Sequence, residues 1–268
     1  CRSLNISILR QKFSSKEKAR QALDNRLLSG HPAACQVGVF YLPYFPKEYR
    51  FHFNAHNLIV VGKEEDKYLI SDPIMETFAT MNSYELERVR FARGPLAPRG
   101  QLYFPKEARE VTDEQIKRAI ITGIKRNVRH MLYVPGNIAG ISGIRYTAKK
   151  IKKWRDTLGL ERSRSYLAQL VRMQEEIGTG GGGFRFIYAA FLQQAYAYHP
   201  LDELMNISQK FTRAGDMWRD AAIQASGIYK GRLTEQQDYN AMGDQLLAIA
   251  ALEKEAFRDL DAIVKKLR

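Results

Sequence analysis

The sequence lacks most of the features that mark secreted, membrane-spanning or metal-binding proteins. Its two cysteines, Cys1 and Cys35, are too few for a disulfide framework and are typical of a protein from the reducing cytoplasm. No apolar run approaches the ~20 residues that a helix needs to span a bilayer. His, Cys and carboxylate residues do not cluster at metal-ligand spacing, so we expect no metal. We also expect no cofactor and no membrane contact.

An initiator Met and a signal peptide are also missing. The chain begins at Cys1 in what reads as the end of a helix or the start of a strand. We therefore expect further residues upstream of Cys1, and we expect a cytoplasmic location.

The composition that remains is that of a folded globular protein. Apolar residues make up 45% and charged residues 26% of the 268 positions, and the length suffices for two domains. Residues 1–108 combine helix and strand patterns, whereas residues 109–268 carry helix patterns only. We therefore predict an α+β domain with an antiparallel sheet over 1–108, followed by an all-helical domain over 109–268.

Apolar spacing, together with Gly and Pro at the ends of each pattern, gives the bounds of the predicted elements. The first domain should contain a helix at 14–28, a buried strand at 33–42, hairpin strands at 57–62 and 68–71, a helix at 82–93 and a strand at 102–104. The second should contain helices at 113–133, 138–158, 161–177, 186–197, 201–226 and 234–267.

The predicted hairpin carries a histidine and an aspartate at its open end. His56 precedes the first strand and Asp72 follows the second. Counting outward from a turn at Lys63–Lys67, the two residues lie within one or two positions of being opposite, which a carboxylate–imidazole hydrogen bond can bridge. Such a pair is the base and the orienting carboxylate of a nucleophile–base–carboxylate triad.

Structural roles are the alternative for both residues. A histidine at a strand edge is often only hydrogen-bonded in place, and an aspartate before Pro73 often accepts backbone N–H groups of a turn. His52, four residues before His56, is the reserve candidate for the base.

The hairpin and the segment before it resemble a known family. GHPAACQVGVFYLPY and FHFNAHNLIVVGKEEDKYLISDP look like the N-terminal domain of the butirosin biosynthesis protein H family, which is similar to papain-like peptidases that trim bacteriocin leaders. GNIAGISGIR and IGTGGGGFRFIYAAFL look like the helical domain of unknown function that follows in this family. The resemblance implies a papain-like cysteine-peptidase-type sheet domain that lacks its N-terminal part, with His56 as the base and Asp72 as its orienter.

The resemblance also implies a thiol nucleophile, well upstream of the segment that aligns with Cys1. Cys35 lies in the middle of an apolar strand pattern, which is typical of an inert buried thiol. An N-terminal nucleophile at Cys1, with its own amine as the base, is the alternative. We therefore expect the nucleophile upstream of Cys1.

Members of this family include an acyltransferase that moves an aminoacyl group from an acyl carrier protein to an aminoglycoside amine. The resemblance thus implies transfer of an acyl group from a carrier-protein thioester to a small amine through a Cys acyl-enzyme. A cysteine peptidase or amidase would pass the same acyl-enzyme to water. A binding or scaffold protein without a nucleophile is the third hypothesis.

The net charge of +13 is concentrated in one segment. Residues 117–155 contain eleven Lys or Arg and no Asp or Glu. A solvated helix face explains part of this, and the functional interpretation is a docking face for an acidic acyl carrier protein or another anionic partner. Nucleic acid is the weaker choice because no recognition motif accompanies the charge. The oligomeric state stays open.

The glycine run in GTGGGGFR has two interpretations. It lacks the Gly-Lys-Ser/Thr ending of a phosphate loop, so a helix–helix connection with positive φ and close packing is one of them. The other is an anion- or carrier-binding loop. Its residues would be Gly178, Thr179, Gly180, Gly181 and Arg185.

Overall fold

The computed structural model describes residues 2–4, 6–47, 50–107, 110–176 and 179–267. The chain divides into two compact units, Cys1–Glu110 and Val111–Arg268. The first contains a six-stranded antiparallel sheet and the second is helical. The predicted α+β fold with a helical second domain is confirmed.

The first unit contains six strands and two helices among its described residues. They are β1 (Ile8–Gln11), α1 (Lys16–Leu28), β2 (Ala33–Val37), β3 (His56–Glu64), β4 (Lys67–Ser71), β5 (Ala79–Asn82), α2 (Ser83–Arg90) and β6 (Leu102–Pro105). The strand order is β1-β6-β2-β3-β4-β5, and all the pairings are antiparallel. The sequence did not predict β1 or β5, which are the two edges of the sheet.

Local capping explains why the two helices of this unit begin where they do. The Ser15 side chain accepts a hydrogen bond from the Lys18 backbone N–H and starts α1. Asn82 and Glu85 form a reciprocal capping box at the start of α2. One face of the sheet is buried in a core built from these elements, which includes Leu23, Cys35, Leu58, Val60, Tyr68, Ile70, Met81, Leu86, Val89 and Leu102.

The predicted strand at 33–42 was too long. The strand ends at Val37, and Val39–Tyr41 form a 3₁₀ turn instead. Gly38 marks the change, because its backbone N–H donates to the Val89 carbonyl, and a Cβ there would lie 2.5 Å from the Ala92 side chain. The chain therefore turns away from the sheet toward the end of α2.

All the regular elements that the structure describes in the second unit are helices. Its α-helices are α3 (Asp113–Leu132), α4 (Gly140–Val171), α5 (Arg185–Tyr198), α6 (Asp202–Tyr229) and α7 (Gln236–Lys266), with a π-helical turn at Arg172–Glu176. The helices predicted at 138–158 and 161–177 correspond to the two parts of α4, which meet at a kink where Gly159 has non-helical backbone angles (φ 74°, ψ 170°). A first core packs α3, α5, α6 and α7 together around Phe211 and Phe257, and a second joins α4, α6 and α7 around Trp218 and Tyr239.

Candidate active site

The hairpin β3–β4 is irregular in a way that sets the position of the candidate pair. Glu64 pairs with Lys67 across a two-residue turn, so the strands are longer and the turn is shorter than the sequence predicted. Val61 has no partner in β4, because the register shifts between Val60 and Gly62. A β-bulge of this kind adds one residue to one strand and reverses the alternation of side chains beyond it.

The bulge brings His56 and Asp72 to the same face of the sheet. On the open side of the bulge Ile59 pairs with Ser71, so the next residue, Asp72, comes opposite Leu58. Leu58 lies two residues from His56 along β3, and both side chains face the buried side. Without the extra residue, Asp72 would come opposite Ile59, whose side chain faces the other way.

The two side chains are in direct contact. His56 Nε2 lies 2.7 Å from Asp72 Oδ2, and both residues are buried, with 9% and 4% of their surfaces exposed. The structure therefore brings together the predicted base and its predicted orienter. Their catalytic roles remain predictions.

The Asp72 carboxylate has further hydrogen-bond partners. Its Oδ2 atom also accepts a hydrogen bond of 2.7 Å from the Tyr44 hydroxyl, and Oδ1 accepts one of 3.0 Å from the Ile74 backbone N–H. The turn role foreseen for an aspartate before Pro73 is thus fulfilled by Oδ1, while Oδ2 contacts the imidazole. No sequence pattern marked Tyr44, which lies in a loop.

These hydrogen bonds decide the protonation of the carboxyl group. Burial opposes the charged form of Asp72, but the hydrogen bond and charge of His56, followed by the Ile74 and Tyr44 hydrogen bonds, outweigh it and hold the pKa of Asp72 below its usual value. Burial, and then the nearby Asp72 charge, raise the pKa of the Tyr44 hydroxyl well above its ordinary value. At neutral pH the Tyr44 hydroxyl therefore stays protonated and donates a hydrogen bond to an ionised Asp72.

The ionised carboxylate also fixes the tautomer of a neutral His56. An ionised carboxylate only accepts hydrogen bonds, so Nε2 carries the proton in the contact with Asp72. The lone pair then lies on Nδ1, which makes no hydrogen bond with another described residue. This is the arrangement that a general base requires.

The loop that contains Tyr44 also forms the neighbouring surface. Phe45 packs edge-on against the His56 ring, with 5.7 Å between ring centroids, and Pro43 lines a cavity of about 460 Å³. The other side chains that line this cavity are Phe40, Tyr41, Arg50, Asn82, Tyr84, Glu85 and Arg88. His52, the reserve candidate for the base, is exposed and stacks on Phe40 at 4.1 Å.

Neither cysteine of the chain is placed as a nucleophile by the structure. Cys1 lies outside the described residues. Cys35 is fully buried in the middle of β2, and burial raises the pKa of its thiol, so it is protonated at neutral pH. The inert role predicted for Cys35 agrees with this burial.

The glycine run adopts a backbone that only glycine favours. Gly180, Gly181, Gly182 and Gly183 all have positive φ, as does Phe184 (φ 71°), whereas Gly178 lies outside the described residues. A Cβ on Gly182 would lie 3.0 Å from the Gly215 Cα in α6. Close packing, one of the two interpretations of the run, therefore requires glycine here.

Three of the residues predicted to bind an anion in this loop, Thr179, Gly181 and Arg185, already have internal partners. The Gly182 N–H donates to Glu175 Oε1 (3.0 Å), and the Gly181 N–H donates to the Thr179 hydroxyl (3.2 Å). Arg185 forms a two-pronged ion pair with the fully buried Glu253, with N–O distances of 2.7 and 2.9 Å. The Trp218 indole N–H donates to the same carboxylate. These contacts favour the structural interpretation of the loop over an external anion.

The basic segment 117–155 is mostly solvated and unneutralised. Lys117 pairs with Glu114, Lys152 with Asp244, and Arg155 reaches Glu235. The remaining eight cations are exposed and form no ion pair with any described residue; they are Arg118, Lys125, Arg126, Arg129, Arg145, Lys149, Lys150 and Lys153.

Two features are absent from the described part of the chain. No group of three or more His, Cys, Asp or Glu side chains there could hold a metal ion. No helix formed by the same residues is both long and apolar enough to cross a bilayer.

Two family models match the sequence. One, described as "Butirosin biosynthesis protein H, N-terminal", matches residues 1–73, and the other, described as "Domain of unknown function (DUF4872)", matches residues 84–260. These ranges contain all four segments on which the resemblance was based, and the resemblance is confirmed. No curated protein matches the chain. The second match begins within α2, so it includes β6, which pairs with β1 and β2 in the sheet of the first unit.

Proposed function

We propose an activity for this chain from the premise that it belongs to the DUF4872 family and carries the N-terminal domain of butirosin biosynthesis protein H. The activity is transfer of an acyl group from a carrier-protein thioester to an amine through a papain-like cysteine acyl-enzyme. The observation that carries the proposal is the 2.7 Å contact between His56 Nε2 and Asp72 Oδ2, which leaves Nδ1 as the basic nitrogen.

The reaction has two halves that share one base. In the first, Nδ1 of His56 accepts the proton of a cysteine thiol outside the described residues, and the thiolate attacks the thioester carbonyl. The carbon–sulfur bond to the carrier breaks, and the carrier thiol leaves with the proton returned by His56. In the second, Nδ1 takes a proton from the attacking amine, the amide forms, and the enzyme thiolate is released.

Asp72 and Tyr44 support this cycle without touching the substrate. The imidazolium formed in each half is stabilised by the ionised carboxylate at Nε2. Tyr44 and the Ile74 N–H hold that carboxylate in place and keep its pKa low, so it stays charged throughout the cycle. The cavity beside Pro43 supports binding of the acyl group or the acceptor, since the loop that lines it also contacts the catalytic pair.

The eight unneutralised cations of the basic segment support an acidic carrier as the donor. Such a surface accelerates the encounter with an acidic partner, and its effect weakens as salt screens the charges. Binding of an acidic acyl carrier protein should therefore weaken as the salt concentration rises, and replacing Lys149, Lys150 and Lys153 by Gln should reduce that dependence. Salt-independent binding, or none, would remove the carrier from the proposal.

The acyl-enzyme itself is tested by intact-mass spectrometry of the full-length protein with a small acyl thioester. We expect a covalent acyl adduct that an added amine discharges as an amide. His56→Ala should slow adduct formation by a factor of about 10²–10⁴, whereas His52→Ala, the matched control, should not. Loss of the adduct at a rate that does not depend on the amine would identify a hydrolase. A wild-type protein that forms no adduct would identify a binding or scaffold protein.

A further inference from the structure

We propose a second ligand site, in the helical unit, that binds a phosphomonoester carried on a short apolar stem. The site is a cavity of about 600 Å³ between α4 and α7. Its residues take no part in the chemistry of the proposed acyl transfer, although Arg145 also belongs to the basic segment that is proposed to bind a carrier. The proposal therefore does not depend on that reaction.

Three cations line this cavity. Arg145 comes from α4, and Lys254 and Arg258 come from α7. None of the three forms an ion pair with a residue that the structure describes. Three unpaired cations around one concave surface favour a ligand with more than one negative charge.

Two acids also line the cavity, but they form ion pairs with a different cation. Glu255 and Asp259 both bind the ammonium group of Lys210 on α6, at 2.5 and 2.7 Å. Their charge is therefore directed toward α6. With Lys210 counted, four cations face two acids here, so the cavity keeps a net positive charge.

The spacing of the cations along α7 supports the same conclusion. Lys254 and Arg258 are four residues apart, so they lie on one face of the helix and repel each other. A bound anion would replace this repulsion with attraction. The planar guanidinium groups of Arg145 and Arg258 can each donate two parallel hydrogen bonds to two oxygens of one anion.

The floor of the cavity determines the rest of the ligand. Leu247, Ala250 and Ala251 line the cavity at helical spacing on α7, before Lys254 and Arg258, and their side chains contribute only apolar surface. The two alanines leave room for a short hydrocarbon stem. The chemistry of the site is thus an anionic head beside an apolar strip, typical of organic phosphate sites.

The test is calorimetric titration of the full-length protein with hexyl phosphate and with inorganic phosphate at low ionic strength. Hexyl phosphate should bind at least about tenfold more tightly, because burying two methylene groups is already worth that factor. Arg145→Gln and Arg258→Gln should each weaken hexyl phosphate binding about tenfold. Arg258→Lys should lose less affinity for hexyl phosphate than Arg258→Gln, because it keeps the positive charge and loses only the two-pronged geometry.

Arg213→Gln is the matched control, because it removes an exposed positive charge from α6, away from the residues that line the cavity. It should leave the affinity unchanged. Equal weakening by Arg213→Gln would show a general charge effect and overturn the proposal. Equal affinity for the two phosphates, or no binding of hexyl phosphate, would overturn it as well.

Discussion

His56 Nε2 and Asp72 Oδ2 lie 2.7 Å apart, although the two residues are not directly opposite in the sheet. They meet diagonally across β3 and β4 because the bulge at Val61 shifts the register by one residue. A regular hairpin with the same two-residue turn would direct the two side chains to opposite faces. The contact therefore depends on a local irregularity of the backbone as much as on the two residues themselves.

Replacing Asp72 by Asn should change how the stability of the first unit depends on pH. The pKa of Asp72 is lowered in the folded protein, so its ionised form contributes stability above ~4, the usual pKa of an unfolded Asp, and that contribution is lost as the pH falls through the lowered value. At neutral pH, Asp72→Asn should reduce the free energy of unfolding by about 1.5–3 kcal/mol. In acid the difference between the two proteins should shrink.

Hydrogen exchange of peptides from β3 and β4, followed across a urea titration at neutral and acid pH, measures this difference locally. Asp66→Asn, an exposed acid in the turn of the same hairpin, is the control. A penalty for Asp72→Asn that is as large in acid as at neutral pH would contradict the assigned ionisation.

Tyr44→Phe should disturb the same carboxylate from its other side. The variant removes a 2.7 Å hydrogen bond to Asp72 Oδ2, and the pKa of Asp72 should rise toward its ordinary value. We expect acyl-enzyme formation in the full-length protein to slow about tenfold. Tyr68→Phe removes a hydrogen bond of the same length in the same unit, from the Tyr68 hydroxyl to Asp24 Oδ1, and it should leave the rate unchanged. A rate that is equal in both variants would remove Tyr44 from its positioning role.

Two glycine substitutions should have opposite effects on the helical unit. Gly182 has φ +56°, and a Cβ there would meet backbone atoms of Gly215, so Gly182→Ala should destabilise the unit by about 1–3 kcal/mol. A Cβ added to Gly123, inside α3, would have no atom within 4 Å, so Gly123→Ala should stabilise the helical unit by about 0.5–1 kcal/mol. Urea unfolding followed by tryptophan fluorescence measures both, since Trp154 and Trp218 belong to this unit.

Replacement by Gln should destabilise the helical unit more at the buried Glu253 than at Glu255, a neighbouring acid on α7. Glu253→Gln leaves Arg185 without its charged partner in the interior and should cost about 3–5 kcal/mol by the same fluorescence measurement. Glu255→Gln removes an exposed ion pair with Lys210 and should cost at most about 1 kcal/mol. Similar losses for the two variants would contradict the structural role of the Arg185–Glu253 pair.

The sequence predicted the parts of the fold that carry a strong apolar pattern. The hairpin and the long helices follow from such patterns. The proximity of His56 to Asp72 followed from counting residues outward from the hairpin turn. The strands β1 and β5 escaped because they are four-residue edge strands, and β1 has no buried residue to create a pattern.

The rest of the candidate site could not be predicted for a different reason. Tyr44 approaches Asp72 through a loop, and no periodic pattern relates residues 28 positions apart in such a segment. The bulge at Val61 also left no clear signal, although Gly62 beside it is a residue often found at bulges. Tertiary contacts decide both features.

The most direct test of the acyl-enzyme proposal is the distance from His56 Nδ1 to the nearest cysteine sulfur in an experimental structure of the full-length protein. The account predicts a thiol other than that of Cys35 at about 3–4 Å from Nδ1, on the side of the ring opposite Asp72. A structure in which Nδ1 faces no thiol, while the 2.7 Å contact with Asp72 is kept, would contradict it and leave the pair with a structural role alone.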